Sequence, residues 1–310
     1  VNKAKAQYWK WAAGIAVTIL LLWHLYRQLH AQLVSGISFS FWPEGTAIYF
    51  FAALCLLPLN LGLEALKWQR LVATASSISF AQALSSMLSG IAVSILTPNR
   101  IGEYPARIMQ LKDHNSTRLV SVSVLGACSQ MLALMIAGLA GMGLYTYTHP
   151  QPWYILVLVV TAVFTLGLTI LYFSFERWAP IIENIRWLRK LHLWARLLYR
   201  FSRRQQLTIL GISLLRFAVF TTQYWLLLRW QGIPLPAGAW LLCALFFWAM
   251  AVIPSIALAE LGIRGTVSLF LFRPFTWNVA GIAMATFVLW CMNLMLPALA
   301  GGILFFRRPR

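Results

Sequence analysis

The chain sets 7 acidic residues against 25 lysines and arginines in 310 positions, so each carboxylate can be weighed singly. Glu176 and Glu183 fall among arginines of a basic stretch and are expected to be their solvated partners. Asp113 sits at a helix end, and Glu44 follows Pro43 in a loop. Glu64, one turn before Trp68, can pair with Lys67 or an arginine. That leaves Glu103 and Glu260, each in an interruption of an apolar run and each beside arginine. Arg100 and Arg107 flank Glu103, and Arg264 follows Glu260 by four residues, which is ion-pair spacing on a helix.

A charge at membrane depth costs about 2.5–3.5 kcal/mol even on lenient insertion scales, so it persists only when paired, hydrated or used. Two outcomes fit these residues. Each Arg/Glu set closes the tip of a broken helix as a salt bridge, or the arginines line a cavity for an anionic group while the glutamate balances charge or takes up a proton. Arginine presents a planar fork suited to phosphate oxygens, and helix N-termini at the breaks would add amide donors. Arg216, in the middle of another apolar run, is a further candidate lining residue.

Catalysis is not expected. There is no HExxH, GxSxG or Walker loop, and Asp113 is the single aspartate, whereas metal-dependent phosphoryl transfer draws on several carboxylates. Cys55, Cys128, Cys243 and Cys291 lie singly in apolar stretches without a CxxC pair, so neither metal site nor disulfide is indicated. No cofactor is expected. The competing functional readings are a multi-span glycosyltransferase using Glu44 and a non-transporting partner of another membrane enzyme.

The elements that must position these residues are membrane helices. Hydrophobic residues make up 60% of the chain and charged ones 10%, against about 25% charged in a soluble domain, so a water-facing surface cannot be covered. Apolar runs of about 20 residues recur, and in lipid their backbone must be satisfied within the segment. Spans are expected at about 11–25, 46–66, 119–145, 153–175, 207–228 and 279–306. Two other apolar regions, 79–111 and 237–272, are broken. The first is interrupted at Thr97–Glu103 and the second at Ile253–Ser255 and Glu260–Gly265, where proline removes a helical hydrogen bond and glycine relaxes the backbone.

The net charge of +18 would suggest nucleic acid in a soluble protein, but here the basic residues gather at the ends of apolar runs. No nucleic-acid partner is expected. No cleavage site follows the first run, which is therefore read as a span. With both termini cytoplasmic and both broken regions returning to their own side, Lys67 and Arg70, Lys112 and Arg118, and the C-terminal arginines all fall inside, as the positive-inside rule requires. The stretch 176–206 alternates arginine with apolar residues near helical period and reads as a cytoplasmic helix in the headgroup layer. The expected fold is one all-α polytopic transmembrane domain over 1–310, with six spans and two re-entrant helical hairpins. The order span, hairpin, span recurs at 46–145 and 207–306, an arrangement compatible with inverted repeats.

The interruptions also carry a resemblance. Ser94-Ile95-Leu96-Thr97-Pro98-Asn99-Arg100-Ile101-Gly102-Glu103, followed by Arg107, resembles the Pro-x-Arg-x-Gly-Glu signature of the lysylphosphatidylglycerol synthase transmembrane-region family. Ile253-Pro254 through Glu260-Leu261-Gly262-Ile263-Arg264 is similar to its second signature, a proline followed by Gly-Gly-Leu-Gly-Val-Arg-Glu. Two departures stand out: Ala257-Leu258-Ala259-Glu260 replaces the glycine-rich segment, and Gly265 stands where a glutamate follows the arginine. The acid stands instead four residues before Arg264, at helical ion-pair spacing. The resemblance implies a stand-alone relative of the flippase domain of the multiple peptide resistance factor, in the inner (plasma) membrane. These 310 residues hold no stretch that reads as the soluble aminoacyl-transferase domain, so lysyl-lipid synthesis is not implied. The implied partner is an anionic phospholipid or polyprenyl-phosphate-linked lipid moved between leaflets. Pro98, Arg100, Gly102, Glu103, Arg107, Arg216, Pro254, Glu260, Gly262 and Arg264 are the expected substrate-binding residues. Association into a homo-oligomer is left open.

Overall fold

The computed structural model describes residues 40–74, 76–95, 97, 102–111, 116–174, 201–253 and 257–307. The expected first span at 11–25 and most of the basic stretch at 176–206 lie outside them. Among the described residues the secondary structure is helical, without strands. The helices are α1 (Ala47–Val72), α2 (Phe80–Ile95), α3 (Glu103–Met109), α4 (Ser116–Thr148), α5 (Pro152–Phe173), α6 (Arg203–Trp230), α7 (Ala239–Val252), α8 (Ala257–Phe272), α9 (Val279–Trp290) and α10 (Leu296–Arg307).

Helices α1, α4, α5 and α6 are each long and apolar enough to cross a membrane, as is the continuous stretch Val279–Leu304. Within that stretch Cys291–Met295 is a π turn between α9 and α10. Pro297 explains it: proline has no N–H to give the carbonyl of Asn293, and its ring crowds that carbonyl, so the ladder widens just before it. The Asn293 amide donates back to the Leu289 carbonyl at 3.3 Å. Helix α5 shows why these are membrane helices. Only Thr161, Thr165 and Tyr172 of its 22 residues are buried, while Leu156, Val159, Val163, Phe164 and Leu166 are all exposed. Water would penalise such a surface, and lipid does not. The Thr165 hydroxyl donates to the Thr161 carbonyl at 2.7 Å, so it needs no water.

The two broken regions form as helical hairpins, α2 packed on α3 and α7 on α8, but the second is broken over fewer residues than the sequence suggests. Helix α3 begins at Glu103, which therefore starts a helix rather than ending an interruption. Helix α8 runs unbroken from Ala257, so Glu260–Gly265 is helical and does not interrupt the second region. The physical reason is that glycine keeps its backbone N–H, so Gly262 and Gly265 leave the hydrogen-bond ladder intact, whereas proline does not. Helix α1 likewise extends six residues past the expected span, carrying Lys67, Trp68 and Arg70 inside the helix.

Two compact units are present. One takes the described residues of Val1–Cys55 and Thr221–Asn293, and the other those of Leu56–Phe220 and Leu294–Arg310. In the first, α8 packs on both α7 and α9. Its centre is a buried hydroxyl cluster: Tyr224 lies 2.5 Å from the Ser268 hydroxyl and 2.9 Å from that of Thr286, and Ser268 and Thr286 are 2.9 Å apart. Phe246, Phe247 and Phe272 surround the Tyr224 ring. Trp230 is fully buried against Phe41, Trp42 and Phe50. In Tyr224→Phe, Ser268 and Thr286 still satisfy each other, so thermal unfolding in detergent should show a loss of only about 1 kcal/mol. A loss several times larger would show that the tyrosine hydroxyl has a further task.

In the second unit, Trp68, Leu71, Val72, Leu119, Leu125, Leu132 and Tyr172 form the main apolar core. Ser129 on α4 meets Ser213 on α6 at 3.0 Å, and the Tyr172 hydroxyl donates to the Gln206 carbonyl at 2.9 Å. Helices α2 and α10 cross so closely that a Cβ on Gly301 would lie 1.9 Å from the Leu88 carbonyl oxygen. This is close packing of the small-residue kind that membrane helices use.

Candidate functional site

The charged residues converge inside the second unit, on the hairpin of α2 and α3. Helix α3 is seven residues long, with Glu103 in its first turn and Arg107 in its last, each at the end whose dipole favours its charge. At its start the Gly102 amide donates to the Thr97 hydroxyl at 3.0 Å, and a Cβ at Gly102 would meet the Thr97 side chain at 2.7 Å. A larger residue there would have to displace the Thr97 side chain. The hairpin closes through a polar chain: Trp68 Nε1 donates to the Ser86 hydroxyl at 3.0 Å, which donates to the Arg107 carbonyl at 2.7 Å. Gly90 lets α3 settle on α2, because a Cβ there would lie 2.5 Å from Arg107 Cγ and 2.8 Å from the Glu103 carbonyl oxygen.

So held, Arg107 is 3% exposed and points into the unit. One nitrogen donates to Glu64 Oε1 at 2.8 Å and another to Glu103 Oε1. Its guanidinium also faces the rings of Trp68 and Tyr104, at 5.7 and 5.4 Å from their centroids. Glu64 is the meeting point. Besides Arg107 it pairs with Lys67 at 2.8 Å and with Arg216 at 3.2 Å, both through Oε2. Arg216 Nε donates to Asn60 Oδ1 at 3.1 Å and its Nη1 to Gln130 Oε1 at 3.0 Å, and Lys67 Nζ reaches the same Gln130 oxygen at 3.0 Å. Helices α1, α3, α4 and α6 thus supply one network of three cations and two carboxylates.

Of the residues expected from sequence, Gly102, Glu103, Arg107 and Arg216 fall in or beside this network. Arg216 turns inward to partners and does not snorkel. Pro98, Arg100 and Pro254 lie outside the described residues. The backbone of Glu260 is in α8, but its side chain, and with it the expected pair with Arg264, is outside them. Gly262 and Arg264 are on α8 in the other unit, Gly262 buried and Arg264 half-buried. Glu44 is exposed, in a turn where the Thr46 hydroxyl donates to the Pro43 carbonyl at 2.7 Å.

Sequence reasoning missed the centre of the site. Glu64 pairs with Lys67 and with two arginines, in line with its expected pairing with Lys67 or an arginine, but neither it nor Lys67 is among the expected substrate-binding residues, and both are buried together with Trp68. A signal was present. Asn60, Glu64 and Lys67 are spaced four and three residues apart, one polar stripe on an otherwise apolar helix. Gln130, deep in the α4 run, gave no comparable signal. Elsewhere, Arg273 stands 5.5 Å from the Trp277 ring beside an open groove of about 620 Å³ after α8, the arginine-and-tryptophan pairing usual where a helix leaves the membrane.

Among the described residues no group of three or more His, Cys, Asp or Glu side chains is placed to hold a metal ion. The arrangement around Glu64 is a buried, positively biased cluster with one partly exposed guanidinium, that of Arg216. No curated protein matches the sequence. Over residues 11–302, nearly its whole length, the chain matches the model of the Lysylphosphatidylglycerol synthase TM region, and it belongs to that family.

Proposed function

We propose that this protein moves an anionic lipid, a phospholipid or a polyprenyl-phosphate-linked lipid, between the leaflets of the inner membrane, with transport and not catalysis as its activity. Membership of a family named for the membrane region of a lipid synthase makes it a membrane protein of lipid metabolism or transport. The observation that carries the finer reading is the cluster around Glu64. Three cations face two carboxylates between apolar helices, and Arg216, 28% exposed, is the cation an entering phosphate can reach. Arg100, and Arg264 with Glu260, would also engage the headgroup. Both termini are cytoplasmic in this reading, which keeps the basic ends of the helices inside.

The test is leaflet exchange of labelled anionic lipid in liposomes carrying the purified protein. Arg216→Ala should slow exchange at least about tenfold, the scale of one lost charge-assisted hydrogen bond, and Arg100→Ala and Arg264→Ala should slow it as well. Equal exchange in wild type, variants and protein-free liposomes would overturn the proposal. Loss of a sugar-lipid product in Glu44→Gln, with the arginines dispensable, would favour the glycosyltransferase reading instead.

A further inference from the structure

The ion pairs converging on Glu64 are not alike. Lys67 and Arg107 are 4% and 3% exposed along their side chains, and each stands 2.8 Å from a Glu64 oxygen. Arg216 is 28% exposed and stands 3.2 Å away, sharing Oε2 with Lys67. It is also the one of the three held by two neutral groups, Asn60 and Gln130, so its position does not depend on the carboxylate. The contact between Arg216 and Glu64 is therefore the one that can be exchanged while the rest of the network stays in place.

The charge balance favours such an exchange. Among the described residues, Lys67, Arg107 and Arg216 set three positive charges against those of Glu64 and Glu103, a surplus of one. An uncompensated charge away from water is unfavourable, and one anionic group at Arg216 would neutralise it. That anion would stand on the exposed side of a guanidinium whose other side already faces the Glu64 carboxylate. Two anions a few ångströms apart repel strongly where water is scarce.

We infer that Glu64 acts as a built-in competitor for the ligand's phosphate group at Arg216. With the site empty it completes the coordination of the guanidinium. With a phosphate bound, its repulsion weakens the hold so that the headgroup can leave. The inference rests on the transport reading and adds the element a carrier needs, since a site that only attracts an anion would retain it. Glu64 is thus a positioning residue that acts on the ligand through Arg216.

The experiment measures equilibrium binding of phosphatidylglycerol, and separately of inorganic phosphate, to the full chain in detergent micelles, together with leaflet exchange in liposomes. Glu64→Gln keeps the shape of the side chain and removes its charge. It should bind the lipid about tenfold more tightly than wild type and exchange it more slowly, a combination that mere loss of structure does not produce. Glu64→Asp, which keeps the charge, should behave as wild type. Tightening toward inorganic phosphate as well would assign recognition to the oxyanion itself, and tightening toward the lipid alone would give the glycerol and acyl chains a share; both support the inference. Gln130→Glu places a second carboxylate on Arg216 and should weaken binding by a similar factor, which keeps the inference testable if Glu64→Gln does not fold. Wild-type binding with no tightening in a folded Glu64→Gln, or no weakening in Gln130→Glu, overturns the competitor role and leaves the transport reading intact. Binding of neither probe by any form, with no exchange, overturns both.

Discussion

Arg107→Met should be the most damaging single substitution in the charged network. The methionine fills much of the same space, but it leaves Glu64 Oε1 and Glu103 without their shared guanidinium and removes the cation facing Trp68 and Tyr104. Taking one partner from a buried ion pair costs about 3–5 kcal/mol; Glu64 keeps Lys67 and Arg216, so the loss falls chiefly on the pair with Glu103 and on Glu64 Oε1. Arg107→Lys should recover little. One ammonium cannot reproduce a planar fork that spans two carboxylates from different helices, α1 and α3. Thermal unfolding of the purified protein in detergent, followed by helical circular dichroism, should show a midpoint far below that of wild type for methionine and a smaller recovery for lysine. An Arg107→Met protein that unfolds within a degree or two of wild type would show that the buried pairs contribute nothing to the fold. Leaflet exchange measured on the same preparations separates this role from ligand binding, since Arg216→Ala should slow exchange at least about tenfold while unfolding near the wild-type midpoint.

The second large effect should come from adjacent glycines on α10 that behave in opposite ways. A methyl group at Gly301 would sit 1.9 Å from the Leu88 carbonyl oxygen and 2.4 Å from its carbon, both backbone atoms of α2 that no rotamer change can move. Gly301→Ala must push the two helices apart. Overpacking of this kind costs about 1–3 kcal/mol, and a backbone obstacle places this site at or above the upper end. The displacement would pass to the hairpin that carries Arg107, so exchange should fall together with stability. Gly302→Ala meets nothing within 4 Å. It should be neutral or gain about 0.5–1 kcal/mol from the lower conformational freedom of alanine in the unfolded chain. Equal unfolding midpoints for the two variants would rule out the close crossing of α2 and α10.

The two glycines are neighbours of identical chemistry, and nothing in the order of residues separates them. The same limit governs the charged site. The low charge content, the apolar runs and the prolines at 98 and 254 determined by themselves that the chain is a polytopic helical membrane protein with two broken regions, because in lipid a backbone has few other ways to satisfy its hydrogen bonds. The motif around Glu103 and Arg107 pointed to the family and to one of the four ion pairs of the network. The polar stripe of Asn60, Glu64 and Lys67 was visible as spacing, but spacing cannot say what faces it. Only the tertiary structure brings Arg107 from 43 residues away, and Arg216 from another helix altogether, onto the one carboxylate of Glu64. Helical periodicity is a local property and is written in the chain. Which charged side chains share a cavity depends on how helices far apart in sequence pack, and that is decided by close contacts such as Gly301 on Leu88 and Gly90 under Arg107.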